Sequence, residues 1–520
     1  MTHPFHPNDI ELNGIRLIEA SAGTGKTFAI SQLYIRLLVE EKINLEKILV
    51  VTYTNAATSE LRDRIRSKLR ETLKVLQEKG GGDFLETLPD KDFYSALLDK
   101  VDTVDAGKRI GEALKSFDLA AIYSIHGFCK RILTEYAFQC GVQFDRDILE
   151  DTAPLVEEVV NDFWVKRVYD EEQLFVQFLR DQKINTQALT RLAKKIWAKP
   201  EVDILPELAE PPEMPDPEAR AKAFRQCQEL WSKANKDIRT LLLDSNTPLS
   251  RGKYREAWLE NWFLELDNFF EPEISASIEL PHRFEKFTPA ELEDGMKKTS
   301  RDAGKTPPSH PFFNACEDLE KKNEELRAVL KARVLELKYE LAAEFRQEGE
   351  FSRRMKKYGL MGFDDMLRDL DSALKGDGGE RLAETICDLF KAALIDEFQD
   401  TDPIQYRIFN KIQDTGKLPV FFIGDPKQAI YSFRNADIYA YLEAKKDAED
   451  QVYSLPINWR SDPRLVDAIN TLFGSIDDPF NIEDISYQEI LPAPGRDNEL
   501  IIGTEIASGI NLVHFNHEEE

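Results

Sequence analysis

The sequence predicts an α/β fold: a phosphate-binding parallel sheet interrupted by a large, mostly helical insertion. Three observations predict it. An apolar run at 15–20 passes through a glycine-rich turn into a helical repeat at 28–39. Apolar runs ending in acids return at 392–397 and 419–425. Between about 150 and 345 no strand of this kind appears, only charged amphipathic helical patterns.

The glycine turn, Ser21-Ala22-Gly23-Thr24-Gly25-Lys26-Thr27, stands between a strand and a helix, the context of a phosphate-binding loop. Backbone N–H groups of Gly23, Thr24 and Gly25 can converge on a phosphate, and the positive end of the helix adds to them. Lys26 would reach the β- and γ-phosphates of ATP, and the Thr27 hydroxyl would ligate Mg²⁺. The strict GxxxxGK[ST] pattern has glycine where this chain has Ala20.

Residues 47–54 read as a second strand ending in hydroxyls. A helix follows from Ala56, with Leu61, Ile65 and Leu69 on one face and Arg62, Arg64, Arg66, Lys68 and Arg70 around the rest. Those cations suit either a solvated face or phosphate contacts. Residues 77–107, polar and punctuated by glycine, read as a surface excursion. A third strand, 119–125, runs into Ser124-Ile125-His126-Gly127-Phe128-Cys129 and a helix from Lys130.

Within the insertion, 201–220 carries five prolines and seven acids against one arginine and reads as an exposed linker. Residues 299–311 form a second loop, and 323–349 one long helix. Past the runs at 392–397 and 419–425, a last strand spans 452–458 and leads into Trp459-Arg460.

Bulk properties exclude several classes. No run of 18 apolar residues spans a membrane, and the N-terminal stretch has no basic flank followed by an apolar core. Cys129, Cys140, Cys227, Cys316 and Cys387 form no CxxC pair, which argues for a reducing cytoplasm and against a zinc or iron–sulfur site. The net charge of −27 governs solubility and steering; it does not decide whether a local patch meets nucleic acid.

The chemistry gathers around the phosphate loop. In Leu394-Ile395-Asp396-Glu397, Asp396 can hold Mg²⁺ through water and Glu397 can orient or deprotonate an attacking water. Gln428, after Gly424-Asp425-Pro426-Lys427, can sense a γ-phosphate. Tyr431 and Phe433 beside Arg434 form either a platform for stacked bases or part of the core.

The stretches IEASAGTGKT, VVTYTNAATSELRDRIR, SIHGFC, LIDEFQDTDPIQYRIF, FFIGDPKQAIYSFRNAD and INWRSDPRLVDAIN, six in order, resemble the superfamily 1 DNA helicases of the UvrD/Rep type. SIHGFC and GDPKQAIYSFR favour the RecB-type subunits of helicase–nucleases over AddA- and UvrD-type members. The resemblance implies a RecA-like domain 1A (1–150 and 346–455), a helical domain 1B (151–345) and the start of a second motor domain 2A (456–520). It implies an ATPase centre of Lys26, Thr27, Asp396, Glu397 and Gln428, with Arg460 at the γ-phosphate and Trp459 near the adenine. Thr52, Tyr53, Arg62, Ser124, His126, Tyr431, Phe433 and Arg434 would meet single-stranded DNA. Translocation 3′→5′, RecC- and RecD-like partners and a role in double-strand break repair are further implications.

Two departures stand out: no glutamine precedes the loop to read adenine, and Asn435 replaces a glycine. The later helicase motifs and a nuclease domain are not within 1–520, so the chain reads as the N-terminal portion of a longer subunit. Competing readings are an AddA- or UvrD-type helicase, a scaffold with a relict motor fold, and a non-helicase P-loop ATPase. Intact Lys26, Asp396 and Glu397 oppose the scaffold, and the NWR stretch opposes the last.

Overall fold

The computed structural model describes residues 3–78, 82–143, 146–149, 151–199, 202–210, 215–271, 279–346, 348–430, 437–482, 484–495, 501–502, 505–506 and 510. The chain divides into two compact units, Met1–Glu150 with Gly359–Glu520, and Asp151–Tyr358.

The first unit is built on a seven-stranded sheet. Its strands are β1 (His3–Pro4), β2 (Ile15–Glu19), β3 (Ile48–Thr52), β4 (Ile122–Ser124), β5 (Ala392–Ile395), β6 (Val420–Gly424) and β7 (Val452–Ser454). They lie in the order β1-β7-β2-β6-β5-β3-β4, each pair parallel. The apolar runs make such a sheet because both faces are covered, so successive side chains enter opposite cores. Leu49, Val51, Ala393, Ile395, Val420 and Phe422 belong to one core. Ile48, Val50, Ala392, Leu394, Phe421 and Ile423 belong to the other.

Helices α1 (Lys26–Val39) and α2 (Asn55–Gln77) contribute to the second core. Helices between 82 and 107 do as well, which corrects the reading of 77–107 as a surface excursion. Helices Gly82–Glu86, Lys91–Lys100 and Thr103–Lys115 bury Phe93, Tyr94, Leu97, Ala106 and Ile110. A buried polar knot locks them to α2: Lys68 Nζ donates to Asp90 Oδ2 at 2.6 Å and Glu71 Oε1 at 2.5 Å. Tyr94 donates to the same Glu71 oxygen at 2.7 Å. Gly107, one of the glycines that suggested a loop, sits with Gly111 inside a helix, where nothing lies within 4 Å of an added Cβ.

Other boundaries shift for local reasons. The third strand is only Ile122–Ser124, preceded by a 3₁₀ turn at Phe117–Leu119. Its helix begins at Ile125 rather than Lys130, because Ser124 accepts the Gly127 N–H as N-cap. The run 452–458 breaks at Pro456, which cannot continue a ladder. Ile457–Asn458 pairs instead with Leu491–Pro492.

The second unit packs helices around Trp231, Phe263, Phe270, Phe287 and Phe312. Its longest helix is Pro311–Glu344, starting before 323 because His310 caps Phe312 N–H. Residues 299–302 belong to a short helix, Lys298–Asp302, rather than to a loop. The unit runs on to Tyr358: Arg354, on helix Glu350–Lys357, bridges Glu158 and Asp162, each at 2.7 Å. Residues 202–210 form no helix or strand, and Tyr339 Oη donates to the carbonyls of Ile204 and Pro206.

Candidate nucleotide site and the strand ends beside it

The parallel sheet brings the C-terminal ends of β2, β6 and β5 together, where α/β proteins bind ligands. After β2 the chain must turn at once into α1. Gly23 and Gly25 make that turn with φ of +80° and +100°, conformations glycine adopts without steric cost. Gly25 is the N-cap of α1 and offers no side chain to its first N–H groups. These donors and the helix dipole thus face the loop, fit for an anion. Thr24 is buried, and its Oγ1 donates to Ser21 O at 2.7 Å, bracing the turn.

A cavity of about 590 Å³ opens there, lined among others by Gly23, Gly25, Lys26, Thr27, Asp396, Glu397, Trp459 and Arg460. Lys26 Nζ meets Glu397 Oε2 at 2.5 Å. Asp396 has its carboxyl pushed up to about 7, first by desolvation and then by the Glu397 charge; Lys26 opposes both. A divalent cation would offset that penalty, and Thr27 lines the same cavity. Among the described residues no cluster of three or more His, Cys, Asp or Glu forms a metal cage. A Mg²⁺ ion carried by phosphates needs only one or two protein ligands, so the donor set fits. Glu397 is held at φ +52°, a left-handed conformation costing about 1–2 kcal/mol in a non-glycine residue.

Trp459 and Arg460 arrive on a segment docked onto the loop itself. Asn458 Nδ2 donates to Ala22 O at 3.1 Å, and Trp459 N–H donates to Gly23 O at 2.8 Å. Asn458 Oδ1 accepts the N–H groups of Arg460 and Ser461, which fixes the turn that presents them.

Several residues of this site carry no sequence signal that singled them out. Phe28, 41 % exposed, lines the cavity together with Trp459, and the Lys68 ammonium lies 4.7 Å from its ring centroid. Glu60 lines the cavity too, accepting twice from Arg64, one of the cations already noted on α2. Gln399, beside the acid pair, and Asn458 are the buried polar residues that join its parts.

The expected DNA-facing residues are placed unevenly. Thr52 is 2 % exposed at the end of β3, which lies between β5 and β4. Arg62 is half-buried, and its guanidinium donates to Ile122 O on the edge strand. Tyr53 is half-buried just beyond β3. Ser124 caps its helix, and His126 stands edge-on to Phe363, ring centroids 5.7 Å apart. Burial holds the His126 imidazole below its usual pKa, against the pull of Asp364. Gln428 sits in the Pro426–Gln428 turn, donating to Asp425 Oδ2 at 2.6 Å, and is not among the described residues lining the cavity. Tyr431, Phe433, Arg434 and Asn435 lie outside the described residues.

Residues 7–449 match the UvrD/REP helicase N-terminal domain. The chain belongs to the UvrD/Rep helicase family. It is 37 % identical to the RecBCD enzyme subunit RecB of Escherichia coli (strain K12), over 92 % of this chain and 40 % of that protein. The Haemophilus influenzae RecBCD enzyme subunit RecB is 32 % identical, over 96 % of this chain and 43 % of that protein. The chain thus spans roughly two fifths of these relatives' length. The resemblance read in the six stretches therefore holds at family level. No helix among the described residues is long and apolar enough to cross a membrane.

Proposed function

We propose that the chain is the ATP-hydrolysing motor portion of a RecB-type DNA helicase. One observation carries this reading: the loop lysine, the acid pair and the Trp459-Arg460 segment line a single cavity in a UvrD/Rep-family chain. The α1 N-terminus and the loop N–H groups would bind the phosphates, and Lys26 would leave Glu397 for them. Asp396 and Thr27 would hold Mg²⁺, which supplies charge neutralisation at the transferring phosphoryl group. Glu397, freed from Lys26, would orient and deprotonate the attacking water. Arg460, on the segment docked onto the loop, would stabilise charge on the γ-phosphoryl oxygens, and Trp459 and Phe28 offer rings to the base.

Hydrolysis would drive 3′→5′ movement along single-stranded DNA, with Thr52, Tyr53, Arg62, Ser124, His126, Tyr431, Phe433 and Arg434 as contacts. The relatives' place in a RecBCD enzyme supports partners similar to RecC and RecD, and double-strand break repair is the process proposed for them. The test is steady-state ATP hydrolysis with and without oligo-dT. Stimulation by DNA that Lys26→Ala abolishes is expected; turnover indifferent to DNA would remove the motor reading and leave a P-loop ATPase.

A further inference from the structure

Resting on the motor reading, we propose that Gln399 is a positioning residue for hydrolysis. It ties the water-activating Glu397 to the Asp425–Gln428 turn, so that the carboxylate and the segment after β6 shift together. Gln399 is 2 % exposed. Its Nε2 donates to Glu397 Oε2 at 2.7 Å, and its Oε1 accepts the Asp425 N–H at 2.9 Å. The orientation of the amide is fixed, because a backbone N–H can only donate and must face the oxygen. Asp425 in turn accepts Gln428 Nε2 at 2.6 Å and Lys427 Nζ at 2.8 Å. Lys26, Glu397, Gln399, Asp425 and Gln428 therefore form one unbroken chain of polar contacts, from the phosphate loop to the turn before 431–436.

Two features make Gln399 the decisive link. Lys26 and Gln399 both donate to the same oxygen, Oε2 of Glu397. Once phosphates draw Lys26 away, the amide is the donor left to aim that carboxylate. The second feature is steric. Gly424 is pressed against Gln399, so that an added Cβ would stand 2.6 Å from Oε1 and 3.0 Å from the Gln399 backbone nitrogen. Glycine at 424 is what admits the amide between the ends of β5 and β6.

The full chain is assayed for ATP hydrolysis with and without oligo-dT. Gln399→Leu is expected to lower DNA-stimulated kcat by about 10–100-fold while KM for ATP stays within about threefold. Because leucine strands the Asp425 N–H, Gln399→Glu is measured beside it: it keeps that acceptor, removes the amide donor and sets a second carboxylate against Glu397. The same kcat loss is expected, with KM for ATP again within about threefold. Gly424→Ala, which displaces the amide, should reproduce the defect, and the Gln399→Leu/Gly424→Ala double variant should be no worse than either single. Parental kcat in Gln399→Glu would overturn the proposal. So would a loss carried wholly by KM, or additive effects in the double variant. Failure of the parent chain to hydrolyse ATP would instead overturn the motor reading, and this inference with it.

Discussion

At the scale of single residues, the site concentrates two kinds of tension: charges held without water and a carboxylate held in a left-handed backbone. Glu397→Gln is expected to bind Mg·ATP and hydrolyse it at least about 100-fold more slowly, since the amide cannot accept the water's proton. Nucleotide binding by a fluorescent analogue, set against turnover, checks this; lost binding would make Glu397 a ligand instead. Asp402 lets titration be read away from the metal ligands. Burial raises its carboxyl to about 6, although it caps the Gln405 N–H. An acid with a folded pKa above its unfolded one, about 3.9, favours folding when protonated. Its contribution is thus present below about pH 4 and lost as pH rises toward 6. Asp402→Asn keeps the cap acceptor without the charge. It should melt higher than the parent near neutral pH, with the gain shrinking to nothing near pH 4. An equal gain at both would refute the assignment.

Elements show how far sequence could carry the structure. β3, β5 and β6 were legible because strands buried on both faces are unbroken apolar runs, and the glycines between β2 and α1 left few other conformations. The helices from Gly82 to Lys115 were not, because two glycines and scattered polar residues mask the apolar stripe of Ala106, Ile110 and Ala113. Thr52 shows what a linear reading leaves out. A hydroxyl at a strand end resembles a phosphate contact, and only the neighbouring strands reveal its burial. Gln399 and Asn458 escaped notice because a buried amide has no periodicity; it gains meaning from partners hundreds of positions away. The knot behind α2 gives a measurable consequence. Lys68→Met leaves Asp90 buried with only a long Gln32 contact of 3.4 Å, and should destabilise the first unit by about 3–5 kcal/mol. Adding Asp90→Leu should recover most of that loss in denaturant melts; no recovery would show that packing, not charge, is lost.

For the whole molecule, the important junction is small. Asp147–Ile148 and Leu360–Met361 pair in parallel within the first unit, through Asp147 N–H to Gly359 O and Leu149 N–H to Met361 O. Arg146 meets Asp369 at 2.7 Å beside them. The chain therefore leaves the first unit and rejoins it at neighbouring points. Replacing 151–358 by a flexible linker of about eight residues should leave a cooperatively folding protein that binds Mg·ATP within a few-fold of the parent. A molten product would show that the helical unit is needed for the sheet to form. To an evolving gene, a stretch bounded by such a clasp is a cassette. Insertions and deletions inside it cost the phosphate loop nothing, whereas one residue gained or lost between Asp396 and Gln399 would break the relay. Length variation among related genes should accordingly collect between 151 and 358 and be almost absent from the acid pair to the Asp425 turn.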